Sequence, residues 1–256
     1  MTTHSAGRFP IHAAVVLVLF AVLSRLQSVV SLLPAYRGLY DLHPFYVPEG
    51  MRSAVEILLA LLTVALLNKV GLLGALRELG WLHRPWPGLI FALLACFPLW
   101  TVFSLTLPVA HGLDPWAVLY LAVLSPLAEE TVFRGFAYGQ LRNIGWGFWP
   151  AAIVPAVVFG LVHLRAGQSA AAMAGVFAIA GIGGVLFSFV YERWDRSLWA
   201  PWGVHALMNL SWNVFALGHG PLAGWLPTAM QAVTAVVAVA LCLWRPRLPL
   251  LGRSTA

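Results

Sequence analysis

Charge is scarce in this sequence, and lysine is almost missing from it. Only 9% of the residues are charged, against about 25% in a soluble domain. Hydrophobic residues make up 61%, and the mean hydropathy is +0.84. A soluble helical core of this length cannot enclose so much apolar surface. The composition is that of a polytopic membrane protein. The 2 cysteines, Cys96 and Cys242, fall in different apolar runs, which predicts neither a disulfide framework nor a metal cluster. The single lysine, Lys69, and the aspartates Asp41, Asp114 and Asp195 lie outside the apolar runs. An aspartyl dyad within the membrane is therefore excluded. There is no G-x-S-x-G elbow and no H-E-x-x-H. Internal repeats, long linkers and low-complexity runs are also missing, so one integral membrane domain over 1–256 is expected.

What is present is a series of apolar runs near the ~20 residues that cross a bilayer. The expected architecture is all-α, with about eight transmembrane helices at 11–33, 53–72, 88–110, 115–141, 147–165, 169–191, 197–217 and 223–244. Pro34, Pro44, Pro48, Pro85, Pro87, Gly218, Gly220 and Pro221 mark the breaks. The mixed stretch 71–82 reads as interfacial. All of the 12 tryptophans except Trp100 and Trp212 sit near run ends, as an aromatic belt requires. The first run is too long for a signal-peptide core and has no small-residue cleavage site, so it is expected to stay.

Basic residues give the orientation. Arg8, Lys69, Arg77, Arg84, Arg142, Arg193, Arg196, Arg245, Arg247 and Arg253 fall in the N-terminus, alternate loops and the tail. Arg37, Arg52 and Arg165 fall in the opposite loops, and Arg25 and Arg134 inside spans. Both termini are expected to be cytoplasmic. This bias accounts for the net charge of +6, and no nucleic-acid partner is expected. Arginine supplies all but one of the 15 basic residues, and alanine is abundant. That suggests a GC-rich genome and a bacterial inner membrane.

The anomaly is S-P-L-A-E-E-T-V-F-R-G-F at 125–136, which places Glu129, Glu130 and Arg134 inside an apolar run. A charge at the bilayer centre costs about 2.5–3.5 kcal/mol on insertion scales. Glu130 and Arg134 are i, i+4 in the favourable order, so they can pair along one helix. Glu129 points about 100° away and has no such partner. His163 closes F-G-L-V-H at 159–163, where Phe159 can brace its imidazole. His205 and Asn209 share a face in H-A-L-M-N at 205–209. Three helices thus offer polar groups to a common interior. Spacing alone leaves open a catalytic site, a proton relay in a membrane transporter, and structural polar packing. Arg25 and Glu56 read as end-of-helix or packing residues, and Gly181, Gly183 and Gly184 as a close-packing surface.

The three motifs, in this order over about residues 121–217, resemble the CAAX prenyl protease and bacteriocin-processing family of intramembrane endopeptidases. That family's signature is EExxxR, FxxxH and HxxxN (or HxxxD). Y-E-R-W-D-R-S-L-W-A-P at 191–201 is also similar. The resemblance implies hydrolysis of a peptide bond in a membrane-anchored or lipidated protein or peptide. Glu129 would activate water, His163 would help hold it, and His205 with Asn209 would bind the oxyanion. Glu130, Arg134 and Phe159 would support the site. A zinc site from Glu129, His163 and His205 is the alternative, but it would consume the base. No cofactor is expected. One expectation is awkward: at ~1.5 Å per residue, Glu129, His163 and His205 lie about 20, 26 and 12 Å from the cytoplasmic ends of their spans.

Overall fold

The computed structural model describes residues 8–164, 169–217 and 224–244. Arg165, Arg245, Arg247, Arg253 and the break at Gly218, Gly220 and Pro221 lie outside the described residues. The described chain is all-helical: α1 (Arg8–Ser24), α2 (Leu26–Val30), α3 (Pro34–Leu42), α4 (Tyr46–Asn68), α5 (Leu72–Glu78), α6 (Pro85–Thr106), α7 (Pro115–Asn143), α8 (Phe148–Val162), α9 (Ala170–Arg193), α10 (Trp199–Val214) and α11 (Trp225–Trp244). A short antiparallel bridge joins Val109 and Phe215.

Among the described residues, α4, α6, α7, α9 and α11 are long and apolar enough to cross a membrane, while His12–Ser24 and α8 are shorter apolar helices. The expected boundaries need correction at several points. The first run is not one helix, because the chain turns at Arg25. Pro48 is not a break. It lies in the first turn of α4, where a missing N–H leaves no bond unmade. α4 therefore starts earlier than expected, and Arg52 belongs to it rather than to a loop. Pro85 likewise opens α6. His163 lies just past the end of α8 rather than within it.

Small residues let the helices approach. A Cβ on Gly184 of α9 would sit 2.8 Å from Ala156 Cα of α8, so this pair of helices requires glycine there. Gly183 faces open space, and a Cβ on Gly181 would meet nothing nearer than 3.8 Å. Close packing was thus read correctly for one of the three glycines. The turn before α10 is tucked inward: Trp194, Ser197 and Leu198 are buried, and the Leu198 N–H donates to Gly80 O. The start of α10 is thereby pinned to the turn that follows α5.

Candidate active site

The site is organised by an irregularity in α7. The helix is wound as π-helix over Tyr120–Leu124 and again over Thr131–Tyr138, on either side of an α-helical stretch Ser125–Glu130. Pro126 accounts for the first widening. Proline has no N–H, and its ring collides with the carbonyl four residues back. In the wider turn the Ser125 N–H reaches Tyr120 O, five residues back. In that register the donor to Leu121 O would come from residue 126, which has none. Asn209 supplies it from α10, with Nδ2 donating to Leu121 O at 3.1 Å. Trp202 Nε1 donates to Val123 O at 3.1 Å. These bonds dock α10 onto α7 and set His205 opposite the two glutamates.

Glu130 is fully buried. Its Oε1 accepts from Arg134 Nη1 at 3.0 Å and from His205 Nδ1 at 2.8 Å. The first contact is the i, i+4 pair expected from the sequence. The second was not visible there, because Glu130 looked already satisfied. Arg134 is 1% exposed. It also donates through Nη2 to Gly184 O at 3.3 Å. Its guanidinium carbon stands 4.9 Å from the Phe159 ring centroid and 5.2 Å from that of Phe187, so the cation is covered by aromatic faces rather than by lipid. Phe187 also stacks on His205, with centroids 5.3 Å apart.

Glu129 is placed differently. Its side chain is 27% exposed. The Ser125 hydroxyl donates to Oε1 at 3.0 Å. Oε2 is buried without a protein hydrogen-bond partner, 3.8 Å from His205 Nε2. That separation is too long for a direct hydrogen bond, and it suits a bridging oxygen. His163 packs against Phe159: its ring centroid is 4.4 Å from that of Phe159, which is 6.3 Å from that of His205. His163 Nδ1 lies 2.6 Å from Phe159 O. A carbonyl can only accept, so Nδ1 carries a proton, which leaves Nε2 as the nitrogen that can accept when it is unprotonated. The structure thus brings Glu129, Glu130, Arg134, Phe159 and His205 into one cluster. His163 adjoins it through Phe159, and Asn209 lies one turn beyond His205 with one amide N–H engaged.

Among the described residues, no three His, Cys, Asp or Glu side chains come close enough to share a metal ion.

Residues 111–211 match the family model described as type II CAAX prenyl endopeptidase Rce1-like. A Bacillus subtilis (strain 168) protein named "Putative membrane peptidase YdiL" is 28% identical over 95 residues, covering 37% of this chain and 35% of the relative. The chain thus aligns with about a third of that relative's length. No solved structure matches. The matched segment contains all three motifs, from Glu129 to Asn209, and across it the chain is similar to the Rce1-like type II CAAX prenyl endopeptidases, the family that those motifs resemble.

Proposed function

We propose that the protein is an intramembrane endopeptidase that hydrolyses a peptide bond of a membrane-anchored protein or peptide through water activated by Glu129. One observation carries this reading. Glu129 keeps one carboxylate oxygen held by Ser125 and the other buried, unpartnered and facing His205 Nε2 across 3.8 Å. A general base must lie within hydrogen-bond reach of the water it deprotonates, and Oε2 is the free acceptor here. His163 Nε2 offers a second acceptor to orient that water. The hydroxide adds to the scissile carbonyl carbon, and the proton on Glu129 passes to the leaving amine as the C–N bond breaks.

Charge on the tetrahedral oxygen requires donors fixed in advance. His205 Nε2 donates when both ring nitrogens carry protons, and the Glu130 carboxylate then supplies the counter-charge. Asn209 is held by Leu121 O through one N–H, and an amide nitrogen carries two. The second is therefore presented by a side chain that is already fixed. Asn209→Ala should lower kcat by about 10²–10³-fold, as expected for one lost oxyanion donor. A variant within a few-fold of wild type would remove Asn209 from the chemistry.

Three further readings belong to the same proposal: a lipidated or otherwise membrane-tethered substrate, a bacterial inner-membrane location with cytoplasmic termini, and metal-free catalysis. The direct test uses purified protein in detergent, with a library of membrane-tethered peptides that includes a farnesylated C-terminal peptide. Cleavage is expected without any ion gradient, and it should survive prolonged dialysis against a strong chelator. Activity lost on chelation and restored by zinc would replace the water-activating carboxylate with a metal. Solute counterflow in proteoliposomes, with no peptide cut, would instead make the polar cluster a transport pathway.

A further inference from the structure

Two stretches of chain leave the helical pattern and pair with each other. Past α6 the backbone runs extended, and Val109 pairs antiparallel with Phe215, the residue after the end of α10. The Ala110 N–H donates to Val214 O at 2.8 Å, and the Ala216 N–H donates to Pro108 O at 2.9 Å. Phe215 anchors this ribbon to α6. It is 5% exposed, and its ring meets Trp100 and Phe103 edge-on, with centroids 5.4 and 5.8 Å apart.

The two bonds flank Val109 and Phe215, which makes these residues a non-hydrogen-bonded pair. In such a pair each residue's own N–H and C=O point away from the opposite strand. On the Phe215 side both groups are used: the N–H donates to Ser211 O at 3.1 Å, and the C=O accepts from the Leu217 N–H at 2.8 Å. On the Val109 side neither group has a hydrogen-bond partner among the described residues, and Val109 is 56% exposed. This is an open strand edge, to which an extended peptide can add.

α10 connects that edge to the site. His205, Asn209 and Asn213 follow at i, i+4 spacing, and Asn213 stands two residues before Phe215. Asn213 Nδ2 donates to Asn209 O at 2.8 Å. That bond fixes the side chain and leaves Oδ1 and a second N–H without a protein partner among the described residues. From His205 to the end of α10 is about 14 Å at the rise of an α-helix, the reach of about four residues of extended peptide. A substrate held by a membrane anchor arrives with its backbone groups paired internally, because lipid offers them no partner. Hydrolysis needs one carbonyl released beside Glu129. The unwound stretch then needs new partners for its N–H and C=O groups.

We propose that the substrate unwinds along the C-terminal half of α10 and adds as a strand to the open edge at Val109, with the Asn213 amide holding the backbone in between. Recognition then runs through the substrate's main chain, and the cut falls about four residues from the one paired with Val109. The inference rests on the endopeptidase reading and says how that substrate is held. Asn213 and Val109 both lie just outside the matched segment 111–211.

The test uses a membrane-tethered fluorogenic peptide that the wild type cuts, remade with an N-methyl group on one backbone amide at a time. The methyl group removes the N–H and blocks strand pairing. At one position, about four residues from the cut, it should raise KM about 10-fold, the effect of one or two lost hydrogen bonds, with kcat little changed. The two neighbouring amides point the other way in a strand and should tolerate the methyl group. Val109→Pro removes the Val109 N–H but neither bond of the ribbon. It should raise KM for the unmodified peptide to a similar extent, and the sensitive methyl group should then add little. Val109→Ala keeps the N–H and should recover most of that loss. Asn213→Ala should raise KM and spare kcat, unlike Asn209→Ala. Equal tolerance of N-methylation at every position away from the cut overturns the added strand. Equal impairment by Val109→Ala and Val109→Pro does so too, since it would mark a side-chain contact. If Val109→Pro fails to fold, the methyl scan on the wild type decides alone. If no unmodified peptide is cut, the endopeptidase reading itself falls and the strand with it, so the two failures are distinguishable.

Discussion

Glu129→Gln should reduce cleavage by about 10²–10⁴-fold, the range lost with a general base, while the protein remains folded. The amide nearly matches the carboxylate in shape. Its oxygen can still accept the Ser125 hydroxyl, so the local packing survives. What it loses is the ability to take a proton at the second position. Glu129 carries no ion pair to a cation on its own helix, so neutralising it strands no partner. Thermal unfolding in detergent should match wild type, and substrate should still bind and protect the protein. Near wild-type proteolysis by this variant would end the assignment.

Glu130→Gln should do something different, lowering both yield and activity. Glu130 Oε1 is the shared acceptor for Arg134 and His205. Removing its charge leaves the Arg134 guanidinium buried among Phe159, Phe187 and the Gly184 carbonyl, without the anion it is paired to. Breaking a buried pair by deleting one partner costs about 3–5 kcal/mol, a large share of the stability of a typical domain. Purified yield and unfolding temperature should both fall. A compensating variant separates the two effects. Adding Arg134→Met to Glu130→Gln removes the stranded cation, and replacement of a buried pair by apolar groups is often near neutral. The double variant should recover yield but not activity, because His205 Nδ1 still lacks its carboxylate. Full activity in either variant would show that Glu130 does not orient the histidine.

The sequence showed the membrane, the helical architecture and the odd charges, because each follows from composition or from spacing along one helix. The Glu130–Arg134 pair was legible for that reason, as was the contact of the His163 ring with Phe159. Contacts between helices were not. Nothing in the spacing says that His205 of α10 turns its Nδ1 to Glu130, or that Ser125 holds Glu129. The mismatch in depth came from measuring each residue from the end of its own span, which leaves the offset between one helix and the next unknown. α7 contains two π stretches, whose wider turns hold more residues, and α10 starts from a buried turn. A signal was available in Ser125–Pro126, since a proline well inside a helix must disturb the carbonyls before it. Following that disturbance would have pointed to a donor for Leu121 O, and so to Asn209.

The order in which the chain is made gives the Glu130–Arg134 pair a further role. α7 leaves the ribosome before α9, which carries Gly184, and before α10, which carries His205. During that interval the two charges have only each other. Because they sit one turn apart on the same helix, these two charges can meet the lipid already neutralised by each other. A counter-ion drawn from α10 would have arrived too late for the helix that needed it. The partners added afterwards convert a pair that permits insertion into a junction of three helices, with Glu129 one residue away.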